Sequence, residues 1–205
     1  GSYAFSYNQI SELEISSDME FGYSVFNGNQ IESLILSEGV TKISNSFITS
    51  QRLTSVKLPS TVTNIGENAF FGNQITELQI ENTEINPSQL TTIGSYAFEN
   101  NSIENLTIPN SVTSIDFAAF RGNKIKELKI SSKLITLGGA VFQNNNIESL
   151  TIPNSVTTIE EYAFHGNKII NLTIPNSVTT IGNWAFEGEN NLLTNLNIDM
   201  TKIPS

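Results

Sequence analysis

The sequence predicts a solenoid, a stack of coils of about 22 residues each, and three observations carry that prediction. A marker phenylalanine, usually preceded by alanine, recurs at Phe5, Phe26, Phe47, Phe70, Phe98, Phe120, Phe142, Phe164 and Phe186. The intervals are 21, 21, 23, 28, 22, 22, 22 and 22 residues. An apolar triplet opens about five residues after most markers, and a second apolar pair with a glycine closes most units. Self-similarity at a fixed period identifies a repeat array, in which each unit contacts only its neighbours.

Each unit reads in the same order. The nine triplets run from Ile10-Leu13-Ile15 through Ile31-Leu34-Leu36, Leu53-Val56-Leu58, Ile75-Leu78-Ile80 and Ile103-Leu106-Ile108. They continue as Ile125-Leu128-Ile130, Ile147-Leu150-Ile152, Ile169-Leu172-Ile174 and Leu193-Leu196-Ile198. Their last two members alternate with a polar residue, the period-two pattern of a short strand with one buried face. Pro-Asn-Ser follows at 109–111, 153–155 and 175–177. Proline cannot donate to a ladder, so it ends the strand and begins a bend. The second apolar pair (Val62 and Ile65, Val112 and Ile115, Val156 and Ile159) marks a second extended segment, and Gly66, Gly94, Gly138 and Gly182 mark the next corner.

The return loop carries Gly28-Asn29, Gly72-Asn73, Gly122-Asn123 and Gly166-Asn167, with Asn101 and Asn145 in the same place. Asparagine tolerates left-handed backbone, and its amide satisfies loop groups that burial would leave unpaired. Stacked coils predict an asparagine ladder with a structural role. A lone coil buries too few side chains to offset its ordering entropy, so the array is stable only as an array. Nine strands at about 4.8 Å spacing give a stack roughly 40 Å long.

Composition narrows the function. Hydrophobic residues make up 38% of 205, enough to fill a core. A net charge of −10 opposes nucleic acid and anionic lipid as partners. No apolar run is long enough to span a membrane. Zero cysteines remove disulfides, thiolate metal sites and cysteine nucleophiles together.

The motif Ile108-Pro109-Asn110-Ser111-Val112-Thr113-Ser114-Ile115, followed by Ala119-Phe120, is repeated closely at 152–164 and 174–186. It resembles the BspA-like (treponemal-type) leucine-rich repeat family of microbial cell-surface proteins, and the resemblance covers essentially the whole chain. It implies a right-handed array of about nine coils, with a parallel β-sheet on the concave face and short extended or 3-10 segments on the convex face. The family often has cysteine where this chain has Asn123 or Asn145. Its members are commonly exported proteins that attach to host matrix, other cells or soluble proteins.

A single repeat domain over 1–205 is expected, with a partial first coil at 1–9 and a truncated last coil at 193–205. Six extra residues lie within 81–89, expected to bulge where the sheet turns toward the convex side as a tolerated loop insertion. The stretch 16–20 is irregular, and Gly1–Phe5 repeats Gly94–Phe98 closely, so the chain begins in mid-coil and reads as a segment of a longer array.

Residues flanking the central triplet residue point outward onto the concave sheet. The candidate binding residues there are Glu12, Glu14, Ile35, Lys57, Glu77, Gln79, Asn105, Thr107, Glu127, Lys129, Thr151 and Thr173. A second candidate is a basic patch of Arg121, Lys124, Lys126, Lys129 and Lys133, all within one coil. Tyr3, Tyr96, Tyr162 and Trp184, two residues before their markers, are expected to lie partly exposed on the convex side. No catalytic, metal or cofactor site is predicted. His165, the only histidine, shares its repeat position with Arg121, Gln143 and Glu187, and such variety marks a surface position. The expected role is a non-enzymatic protein-binding or adhesion module of a secreted or cell-surface protein. It is expected to be monomeric, with a protein partner such as a host matrix or cell-surface protein. The alternative is a structural spacer that presents another functional domain.

Overall fold

A computed structural model describes residues 1–188 and 192–199. In chain order the strands are β1 (Glu12–Ile15), β2 (Ser33–Leu36), β3 (Lys42–Ile43), β4 (Ser55–Leu58), β5 (Asn64–Ile65) and β6 (Glu77–Ile80). Next come β7 (Thr92–Ile93), β8 (Asn105–Thr107), β9 (Ser114–Ile115), β10 (Glu127–Lys129) and β11 (Thr136–Leu137). The last are β12 (Ser149–Thr151), β13 (Thr158–Ile159), β14 (Asn171–Ile174), β15 (Thr180–Ile181) and β16 (Asn195–Ile198). The nine triplets thus become nine strands of one face, and every strand pairing in the stack is parallel. The opposite face holds two-residue extended rungs; among the described residues it has no 3-10 turn. The end of the truncated last coil, residues 200–205, lies outside the described residues.

The core is a column of marker rings. Successive rings from Phe70 through Phe164 lie 5.2 to 5.9 Å apart and within 23° of parallel. Phe47 departs from the column, standing nearly perpendicular to both Phe26 and Phe70. Hydrogen bonds explain this. Ile48 N–H donates to the Ala69 carbonyl as Phe70 N–H donates to that of Ala97. Ile48 therefore occupies the marker position and Phe47 the alanine position, so the true intervals are 21, 22 and 22 where the phenylalanines alone read 21, 21 and 23. Phe21 fills the space beside them, 5.4 Å from Phe26 and 5.6 Å from Phe47.

The expected amide ladder is present and runs further than the asparagines. Asn123 donates to the carbonyls of Phe98 (2.8 Å) and Phe120 (3.1 Å) and accepts the Ile103 N–H (3.1 Å). Asn29, Asn73, Asn101, Asn145 and Asn167 repeat the pattern. Gln51 takes the same place in the third coil, accepting from Ile31 N–H at 2.7 Å and donating to the Phe26 carbonyl at 2.9 Å.

The first coil lacks a rung on the convex side. Asp18 substitutes in part: its carboxylate accepts the Thr41 N–H (3.0 Å) and hydroxyl (2.8 Å). Its pKa is held below the ordinary 3.8 by the Thr41 backbone bond first and then by the Thr41 hydroxyl; desolvation opposes them, and the charge of Lys42 adds least.

Two outcomes follow. Asn123→Ala removes one side chain but orphans two carbonyls and one amide hydrogen in the core, so it destabilises by about 2–4 kcal/mol, read as a lowered denaturant midpoint. Asp18 has a depressed folded pKa, so its contribution is present above the unfolded value and is lost as pH falls through the folded one. The protection of the Thr41 amide, taken relative to its intrinsic exchange at each pH, should fall on acidification below pH 3.8, and Asp18→Ala should show the lowered protection already at neutral pH.

Candidate functional site

On the concave face, register aligns two outward rows. One runs Glu12–Ser33, Ser55–Glu77, Asn105–Glu127 and Ser149–Asn171. The other runs Glu14–Ile35, Lys57–Gln79, Thr107–Lys129 and Thr151–Thr173. All twelve candidate residues lie in these rows and are exposed. Most of the surface is flat and polar, but one place is not.

The six extra residues make a notch. β6 pairs with β4 and β8 with β10; no ladder joins β6 to β8, as none joins β2 to β4 or β10 to β12, but only here does a loop of extra residues flank the break. The chain leaves the sheet after Ile80 and rejoins the stack where Gln89 N–H donates to the Ser60 carbonyl. Between these points the segment is braced by its own bonds. Thr83 N–H donates to the Asn86 carbonyl, Asn86 N–H to the Thr83 hydroxyl at 2.9 Å, and Ser88 N–H to Asn82 Oδ1 at 3.1 Å.

A concavity of about 570 Å³ results, lined by Lys57, Leu78, Gln79, Ile80, Glu81, Asn82, Thr83, Asn105, Thr107 and Pro109. Half-buried Leu78 and Ile80 form an apolar floor, and Lys57, Gln79, Asn105 and Thr107 supply polar walls. Lys57 Nζ lies 3.9 Å from Glu81 Oε2, a loose pair between an exposed lysine and a half-buried carboxylate. Gln79 is steadied by donating to Glu77 Oε1 at 2.5 Å. Ile85 projects from the insertion 90% exposed.

The structure therefore brings together four of the twelve candidates and leaves Glu12, Glu14, Ile35, Glu127, Thr151 and Thr173 on the flat sheet outside it. Lys129 flanks the notch through its pairing with Thr107, and Glu77 through its bond to Gln79. Sequence reasoning missed Glu81, Asn82, Thr83 and Pro109. The available signal was position: the extra residues begin directly after Ile80, the end of the strand that carries the outward residue Gln79.

The basic patch divides. Arg121 forms an ion pair with Glu99, whose side chain is only 3% exposed, donating from Nε at 2.7 Å, and its guanidinium lies 5.9 Å from the centre of the Tyr96 ring. Lys126 pairs with Glu104 at 3.1 Å. Lys124, Lys129 and Lys133 are exposed and make no ion pair among the described residues, but Lys129 lies on the sheet while Lys133 lies in the turn beyond it.

His165 belongs to the same row as Arg121. Its Nε2 lies 2.5 Å from Glu187 Oε2, and its Nδ1 lies 3.4 Å from Gln143 Nε2. Among the aromatic candidates, Tyr3 and Trp184 are about half exposed, Tyr96 and Tyr162 less so. Trp184 stacks on Tyr162 at 5.2 Å, and Tyr96 meets Phe117 edge-on. Among the described residues no group of three or more His, Asp or Glu side chains is arranged to hold a metal ion, and no helix is long and apolar enough to cross a membrane.

The repeat grammar matches a known family. The BspA type leucine rich repeat region, in six copies, accounts for residues 1–90 and 91–205. The chain belongs to that family. Among solved structures it is similar to a leucine rich cell surface protein from Faecalibacterium prausnitzii, at 29% identity and a TM-score of 0.70. That match covers 96% of this chain and 50% of the other, so this chain spans half the length of that relative. It also shares its fold with the pneumococcal vaccine antigen PcpA, at 23% identity and a TM-score of 0.54, over 100% of this chain and 68% of the other. No curated protein matches it.

Substitution should separate structure from availability within the basic coil. Arg121→Ala leaves the buried Glu99 carboxylate unpaired and should cost about 3 kcal/mol. Lys124→Ala and Lys133→Ala should each fall within about 0.5 kcal/mol of the parent in chemical denaturation.

Proposed function

We propose that the chain is a non-enzymatic protein-binding module, used for adhesion by a secreted or cell-surface protein, with the notch as its anchor point. One observation carries this: the insertion gathers Lys57, Gln79, Asn105 and Thr107 around an apolar floor in an otherwise flat face. Binding sites are concave and mostly apolar, with a few convergent polar groups, and insertions in repeat arrays map to loops on one face. The stack supplies rigidity, so little ordering entropy opposes association. The bacterial cell-surface description of the F. prausnitzii relative supports an outer location for this chain.

The test is retention on a panel of immobilised extracellular-matrix and host cell-surface proteins. For any protein retained, Lys57→Glu and Asn105→Ala should each weaken binding about tenfold, with the thermal midpoint unchanged. Absence of binding across the panel, or retention indifferent to both substitutions, overturns the notch reading. A spacer differs in kind: removing the two coils of residues 57–106, which carry the notch, should leave a spacer's function intact, whereas a concave binding face should lose affinity.

A further inference from the structure

The convex sheet has an internal gap at its first rung. In later coils the corner residue donates its backbone N–H to the coil before it, except at Gly138, where the rung ladder breaks between β9 and β11. Gly66 donates to Ile43, Gly94 to Ile65, Asp116 to Ile93, Glu160 to Leu137 and Gly182 to Ile159, at 2.7 to 2.9 Å. Ser44 holds this position in the second coil, and its N–H has no acceptor among the described residues. Its hydroxyl is also buried without a partner.

The cause lies in the first coil. Residues 16–22 form no extended rung, and Phe21 turns inward to pack on Phe26 and Phe47. A groove of about 410 Å³ opens over the uncovered edge of β3. Met19, Phe21 and Tyr23 give it an apolar side, and Lys42, Ser44 and Asn45 form the strand side. Met19 is 57% and Tyr23 51% exposed.

We infer that this groove accepts an extended, uncharged polypeptide segment, which adds to β3 as the missing rung. Three points select that occupant. The unmet group is a backbone amide at the end of a strand, and the acceptor that serves it in other coils is a backbone carbonyl. The charges do not favour an ionic ligand, because Asp18 is already engaged by Thr41 and Glu20 opposes Lys42. The first coil already occupies that level of the stack, so an added upstream coil would stack on the first coil and leave this gap open. Unpaired strand edges recruit extended segments by main-chain hydrogen bonding, with side-chain pockets setting specificity.

The probe is a capped synthetic peptide of residues 175–182, the chain's own uncharged rung sequence Pro-Asn-Ser-Val-Thr-Thr-Ile-Gly. Added to the full chain below about 1 mM, it should give saturable amide shifts confined to residues 18–23 and 41–45. It should also slow Ser44 amide exchange about tenfold. Ser44→Gly keeps the amide hydrogen and should bind the peptide, whereas Ser44→Pro should not. The exchange measurement on the unaltered chain decides the matter even if the proline variant fails to fold. Absence of shifts at these residues, shifts confined to the notch, or perturbation of the groove by maltohexaose and not by the peptide would each overturn the proposal. None of these readouts depends on the concave notch binding anything.

Discussion

A buried amide holds each coil to the next, and much of the rest of the architecture depends on it. The return loop turns its backbone inward, where water cannot reach the carbonyls of the marker residues or the amide hydrogen that opens the next strand. Each of these groups is costly to leave unpaired. One carboxamide supplies two donors and an acceptor, and it spans two coils while doing so. That geometry forces parallel stacking at one fixed vertical spacing. It also explains how a chain without cysteine keeps a ring column and two strand ladders in register. Gln51 shows that the constraint is chemical: an extra methylene is accepted, provided the carboxamide reaches the Phe26 carbonyl and the Ile31 amide.

Just before the ladder, a second rule operates over two coils. The left-handed position holds Tyr7, Gly28, Ser50, Gly72, Asn100, Gly122, Asn144 and Gly166 in turn, with φ between 52° and 71°. The alternation is steric. A Cβ on Gly122 would stand 2.4 Å from Asn100 Oδ1, and one on Gly166 would stand 2.3 Å from Asn144 Oδ1. A larger residue in one coil therefore lies over glycine in the next, and the row repeats every second coil. Phe117 and Gly139 form a similar pair on the convex side, where a Cβ on Gly139 would stand 3.0 Å from the Phe117 ring. There the rung ladder breaks between β9 and β11.

The fold was legible because a period repeated many times averages out local exceptions. Nine triplets read as nine strands, and the asparagines read as a ladder. What stayed hidden were substitutions in which different chemistry fills the same role. Gln51 for asparagine, Ile48 for phenylalanine and Asp18 for a backbone carbonyl all break the letter pattern while preserving the contact. The convex aromatics concealed another feature: Tyr3, Tyr96, Tyr162 and Trp184 all sit at φ of 53° to 58°. That conformation disfavours bulky side chains, and no glycine in the sequence marked the turn. The site was half legible. Sequence alternation put all twelve candidates on the concave face, but only the path of residues 81–89 gathers four of them at the notch.

Both concavities arise where the 22-residue rule fails, and the reason is general to stacked coils. A paired rung leaves its neighbours no unmet hydrogen bond and little depth, whereas the break between rungs β9 and β11 leaves a further concavity of about 440 Å³ beside Phe117 and Gly138. Adding six residues after Ile80 walls one break between concave strands with a loop and makes a notch with side-chain walls. The irregular stretch at 16–20 withholds one convex rung and exposes a backbone donor. The first defect offers shape and polar side chains, the second an unfilled place in a ladder. In such a scaffold the conserved geometry of the coils provides stiffness, and recognition has to come from departures placed where the stack can tolerate them.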